Sequence, residues 1–199
     1  MGLLCIDACP RDRSVSRTWQ LMDAFLEEYA AVFPQAAIAV TRFADEKLLP
    51  FLHDDVLFRE SLVDKGDLGH PMFRWAREFA AAGHIAVAAP YWDLSFPAIL
   101  KVYVENIFVR NLTFRYTLLG EPVGLCRGQR LLYLTTAGSP IGEEDWGFSY
   151  IRAAARMLGV KEFDRVSAEG IDIQGRDAQS ILENAKAQAR LAARKFVPR

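Results

Sequence analysis

Cysteine is scarce. There are three in 199 residues, Cys5, Cys9 and Cys126, with no CxxC pair and no histidine at metal-ligand spacing. That excludes a disulfide framework and a zinc site, and leaves reduced thiols as the expectation. An excess of either charge is missing too. Lysine plus arginine number 24 against 25 aspartate plus glutamate, so the formal charge is -1 and nothing is built to neutralise a nucleic-acid backbone. No stretch approaches about eighteen uninterrupted apolar residues, and the start, MGLLCIDACPR, lacks the basic region and long apolar core of a signal peptide. The expectation is a cytoplasmic protein without a membrane span. Neither GxGxxG nor GxxxxGK[ST] occurs, which removes the dinucleotide fingerprint and the Walker cradle. The three histidines, His53, His70 and His84, show no pairing pattern and read as surface or capped residues rather than catalysts.

What is present has the composition of a globular domain. With 51% hydrophobic and 25% charged residues, the chain is long enough to bury a sizeable core, and residues 1–199 read as one domain. Strand-like and helix-like patterns alternate along it. GLLCIDA opens as a strand, and then Val15, Trp19, Met22, Leu26, Tyr29 and Phe33 recur at three- and four-residue steps, the stripe of a helix from Ser14. AAIAVTRF is a second strand. Helical patterns follow over 54–65 and 71–82, the latter ended by Gly83, and HIAVAAP, RLLYLTTAG and FDRVSAEGI supply three more strands apolar enough for a sheet covered on both faces. Further helices are predicted over 95–109, near 149–158 and over 175–196. This alternation is that of an α/β fold with a mostly parallel sheet. Five strands fit the flavodoxin-like doubly wound order 2-1-3-4-5 with helices on both faces, and periodicity alone leaves the Rossmann order open.

In an open sheet of this kind a ligand lies beyond the carboxyl ends of the strands, so ACPRDRSVS, APYWDLS and TTAGSP should converge. Ser14 and Ser16 stand where a helix begins, where the first backbone amides have no acceptor within the helix and the dipole favours an anion; Arg11 adds a cation. With no pyrophosphate fingerprint, that loop points to a monophosphate. The alternative reading is that one serine is simply the helix cap. Arg13 and Arg17 read as solvated charges. Tyr91 and Trp92 offer flat faces beside the amides of residues 91–94, a surface suited to a planar heteroaromatic ring, although core packing is the ordinary role of such aromatics. In TTAGSP, Gly138 permits close backbone approach while Thr136 and Ser139 bring hydroxyls.

Taken together, SVS at 14–16, APYWDL, SFPAILKVYVENI, LTFRYTLLGEPVGL, TTAGSP and VSAEGI resemble the FMN-dependent NADH:quinone oxidoreductase and azoreductase family of flavodoxin-like proteins. TFRYT followed by a glycine and GL is the most specific piece. The resemblance implies noncovalent FMN, NADH or NADPH as electron donor, a quinone or azo acceptor, and a homodimer. It puts Ser14, Val15 and Ser16 at the FMN phosphate, Tyr91, Trp92, Asp93 and Leu94 along the isoalloxazine, and Thr136, Ala137, Gly138 and Ser139 at its other polar edge. Phe114 and Tyr116 would lie on the substrate side, reaching toward the partner subunit's site. Cys9 stands where the family often has serine, Asp93 where it has asparagine and Ser139 where it has a second glycine.

No acid-base triad is implied, since hydride chemistry belongs to the flavin. GEEDWGFSY, 142–150, reads either as a lid carrying Trp146 and Phe148 over the substrate or as a loop packing those aromatics at the dimer interface. A different class, an FMN-binding electron carrier or sensor that docks a protein, is compatible with the same fold.

Overall fold

The computed structural model describes residues 2–46 and 48–198. Five parallel strands form one sheet: β1 (Leu3–Asp7), β2 (Ile38–Arg42), β3 (His84–Ala88), β6 (Arg130–Ala137) and β7 (Glu162–Glu169). Their order is β2-β1-β3-β6-β7, the expected 2-1-3-4-5 with two short strands intervening in the chain. Those two, β4 (Phe114–Tyr116) and β5 (Pro122–Gly124), make a separate antiparallel hairpin inside the segment that carried the resemblance.

The period of two along the central strands sorts side chains into two cores. Leu3, Cys5, Ala86, Ala88, Leu132 and Leu134 face α1 (Arg17–Val32) and α6 (Ala178–Ala193). Leu4, Ile6, Ile85, Val87, Leu131 and Tyr133 face α3 (Arg74–Ala81), α4 (Ala98–Ile107) and α5 (Trp146–Met157). Every residue of β1 and β3 is therefore buried, as a strand covered on both faces requires. The edges differ. β2 leaves Ile38 and Val40 exposed, and β7 buries Val166 and Ala168 while its other positions are half-buried or exposed, so full two-sided burial does not extend to the fifth sheet strand.

Several helices start later than their hydrophobic stripes suggest, because capping rather than apolarity sets the first residue. α1 begins at Arg17, with Ser16 Oγ accepting from the Trp19 amide at 3.2 Å. Asp177 caps α6 in the same way, whereas Asp145 starts α5 at Trp146, ahead of the expected 149–158. The 71–82 pattern divides into a 3-10 turn, Pro71–Phe73, and α3. α2 (His53–Asp64) buries Leu62 alone and leaves Leu57 and Phe58 exposed.

Candidate functional site

β1 delivers the chain into the first loop through a fully buried carboxylate. Asp7 accepts from the Cys9 amide at 3.1 Å and from Arg13 Nε at 3.0 Å, while the Arg13 guanidinium lies over the Trp19 ring, 3.7 Å from its centroid. Arg13 is thus not a solvated charge: a buried Asp7 without a cation would be strongly disfavoured, and the arginine fixes the loop onto the sheet. Next to it, Asp12 accepts from the Ser14 amide at 2.9 Å and the Ser14 hydroxyl at 2.7 Å, bonds that hold its carboxyl below the usual range. Ser16 is buried as the cap of α1. The amides of Arg17 and Thr18, the first two of the helix, have no acceptor among the described residues.

These groups open onto a cleft at the carboxyl ends of β1, β3, β6 and β7, with an interior of about 200 Å³. Of the residues singled out in the sequence, Arg11, Ser16, Tyr91, Trp92, Thr136, Ala137 and Gly138 line it together. Ser14, Val15, Asp93, Leu94 and Ser139 are exposed beside it, and none of the five is among its lining residues. Cys9 also lines the cleft. Its thiol, 3.7 Å from the Ala88 carbonyl, is pushed up to about 12 by burial first and then by the charge of Asp7, so it remains protonated.

The APYWDLS loop is a tight turn. Trp92 and Ser95 exchange two backbone hydrogen bonds, 3.2 and 2.8 Å, around Asp93 (φ 49°) and Leu94 (φ 66°). Both central residues are left-handed without being glycine, a conformation that costs each roughly 1 to 2 kcal/mol. α4 does not start until Ala98, with Pro97 before it and no side-chain cap, so Asp93 is not its cap. The Tyr91 amide donates to the Thr136 carbonyl at 2.9 Å, joining this turn to the TTAGSP loop.

Two contacts at the cleft join segments far apart in the chain. The hydroxyls of Thr18 and Thr136 lie 2.6 Å apart, tying α1 to the end of β6. Asp172, just beyond β7, pairs with Arg17 Nη1 at 2.8 Å, and its amide donates to the Gly138 carbonyl at 3.1 Å. A Cβ at Gly138 would stand 2.6 Å from Asp172 Oδ2, so the glycine makes room for that side chain. Sequence reading missed Thr18 and Asp172 and took Arg17 as solvated. The one signal was that EGID ends a strand bordering the same cleft. The amides of Gly138 and Ser139 have no acceptor among the described residues.

Beyond Ser139 the chain is clamped by β7. Glu169 accepts from the Ile141 amide at 2.9 Å, while Asp145 caps α5 through the Phe148 amide at 2.8 Å and pairs with Arg165 at 2.5 Å. Trp146 is exposed on the first turn of α5, and Phe148 packs near Tyr133. On the hairpin, Phe114 is buried against Phe108 and stands edge-on to Tyr116, which is half exposed; neither ring lines the cleft.

The family described by a flavodoxin-like fold matches residues 1–192. An FMN-dependent NADH:quinone oxidoreductase of Clostridium acetobutylicum is 33% identical over 199 residues, with 98% of each chain covered, and one of Clostridium beijerinckii is also 33% identical over the same share. The FMN-dependent NADH-azoreductase of Bacillus anthracis, solved in complex with FMN, superposes over all of both chains with a TM-score of 0.85 and 25% identity. The chain belongs to the flavodoxin-like FMN-dependent NADH:quinone oxidoreductase family. Within this oxidoreductase fold the cleft occupies the crevice beyond the strand ends where the sheet order reverses, between β1 and β3. Among the described residues the cleft lining holds neutral donors, a protonated thiol, the exposed Arg17–Asp172 ion pair and a second cation, Arg11, with no paired acid and base.

Proposed function

We propose that this protein holds FMN noncovalently in the cleft and passes two electrons, in alternating half-reactions, from NADH or NADPH to a quinone, azo compound or similar aromatic acceptor. One observation carries the reading. Amides without an acceptor among the described residues, at the start of α1 (Arg17, Thr18) and at Gly138, belong to residues that line one cleft together with Tyr91 and Trp92. That donor set fits a phosphomonoester at one end and the polar edge of a flat ring at the other.

The hydride and electron chemistry is what bound FMN supplies. Ser14, Val15 and Ser16, with the amides of Arg17 and Thr18, are the phosphate end. The turn from Tyr91 to Leu94 supports the ring, and its strained backbone fixes the amides of Asp93 and Leu94 in place. Thr136 to Ser139 present donors to the second polar edge and offset negative charge there without reorganising, the role of an oxyanion hole. Cys9 contributes packing and no charge.

A homodimer completes the site in this reading. An interior of about 200 Å³ is below the range of about 300 to 1,000 Å³ that encloses ligands of this size, so one copy covers only part of the flavin. Exposed apolar side chains at Leu49, Leu52, Leu57, Phe58 and Tyr116 form the faces a second copy would cover.

The visible spectrum of freshly purified protein tests the reading, followed by addition of NADH and then a quinone under anaerobic conditions. Flavin absorption should bleach with the nicotinamide and return with the acceptor. Reconstituted protein that retains no FMN would refute the assignment. Bleaching without return to any small acceptor would favour the electron-carrier class.

A further inference from the structure

We infer that Arg17 is a flavin-phosphate recognition residue and that Asp172 opposes it, so that this pair sets how strongly the protein prefers a phosphorylated flavin over an uncharged one. The inference rests on the FMN reading above. Arg17 is the first residue of α1, and side chains there lean back toward the helix start, which places its guanidinium on the cleft wall beside the unsatisfied amides of Arg17 and Thr18. Its one described hydrogen bond, from Nη1 to Asp172 Oδ1 at 2.8 Å, leaves the remaining N–H groups free to fork onto phosphate oxygens. Arg13, by contrast, is committed to the buried Asp7, at 3.0 Å, with Arg42 Nε standing farther off at 3.6 Å.

The partner is the unusual part. Asp172 sets a carboxylate on the wall of an anion site, above Gly138, where it repels a phosphate dianion and competes for the same guanidinium. Side chains of Arg17 and Asp172 are 48% and 68% exposed, so their mutual attraction is weak and readily exchanged for a dianion held by several donors at once. Removing the cation and removing the anion should therefore move FMN affinity in opposite directions. Riboflavin, which has no phosphate, should feel neither.

Dissociation constants for FMN and riboflavin, measured by flavin fluorescence quenching on the flavin-stripped full chain, decide the matter. Arg17→Gln should weaken FMN about tenfold to a hundredfold, and Arg17→Lys should recover much of that. Asp172→Asn should tighten FMN about two- to fivefold. Riboflavin should bind all variants alike. Unchanged FMN affinity in Arg17→Gln, weaker FMN binding in Asp172→Asn, or equal losses for both flavins would each overturn the inference; the last would mean that the pair only shapes the wall. If the unmodified protein bound neither flavin, the FMN reading itself would fall.

Discussion

Leu94 holds a left-handed backbone in the turn closed by Trp92 and Ser95, at φ 66° without being glycine, and its side chain is 67% exposed and in none of the buried clusters. Leu94→Gly should remove the left-handed penalty and raise stability by about 1 kcal/mol, read as a higher urea midpoint, while flavin affinity falls because the turn is no longer rigid. A lower midpoint would show that the turn is not strained. At this scale the sequence was readable where residue type alone carries the chemistry: serine at a helix start, aromatics on a tight connection, glycine in a donor-rich loop. It was unreadable where a role comes from a distant contact. Nothing near Thr18 names Thr136 as its partner, and nothing near Arg17 names Asp172, 155 residues away. Arg13 changed meaning for the same reason, since a solvated arginine and one neutralising a buried carboxylate look alike until the fold sets Asp7 beneath it.

Among the elements, the β4–β5 hairpin is the one that periodicity did not reveal. Three-residue strands are too short to show alternation, although Phe114 and Tyr116 do share a face. Its glycine at 124 has a definite cause. A Cβ there would lie 2.2 Å from the backbone of Leu158 and Gly159, so the hairpin is seated directly on the end of α5. Gly124→Ala should cost about 2 to 3 kcal/mol, because rigid main chain rather than a movable side chain must give way. Equilibrium urea unfolding measures this, and a loss below about 0.5 kcal/mol would mean that the hairpin can lift without penalty. Thr113 secures the other strand, its hydroxyl donating to the Ile107 carbonyl at 2.6 Å at the end of α4. The long helices were legible because a buried stripe on α1 or α6 needs many turns to repeat. α2 carried a charged, irregular pattern, and its burial shows why: Leu62 and Val63 pack in a small buried cluster while Val56, Leu57 and Phe58 stay exposed.

Over the whole molecule, burial of cysteine adds a pH dependence that the neutral overall charge conceals. The thiols of Cys9 and Cys126 are pushed from an ordinary value of 9.0 up to about 12, in each case mainly by burial, and that of Cys5 goes higher still. Below that ordinary value the thiols are protonated in both states and their burial contributes fully. Above it the unfolded chain releases protons that the folded chain retains, so stability falls as pH climbs toward the raised values, by up to about 1.4 kcal/mol per pH unit for each thiol. Urea midpoints at pH 8 and pH 10 should differ in that direction, and a flat profile would contradict it. The cleft, too, belongs to the molecule rather than to any segment, since its walls come from residues 9–11, 16–18, 90–92, 136–138 and 171–172. During synthesis residues 9–18 leave the ribosome long before Ile171 and Asp172, which complete the cleft's lining about 150 residues later. A nascent chain therefore has only part of the cleft until the last sheet strand is in place, and under the function proposed above cofactor loading has to wait for it.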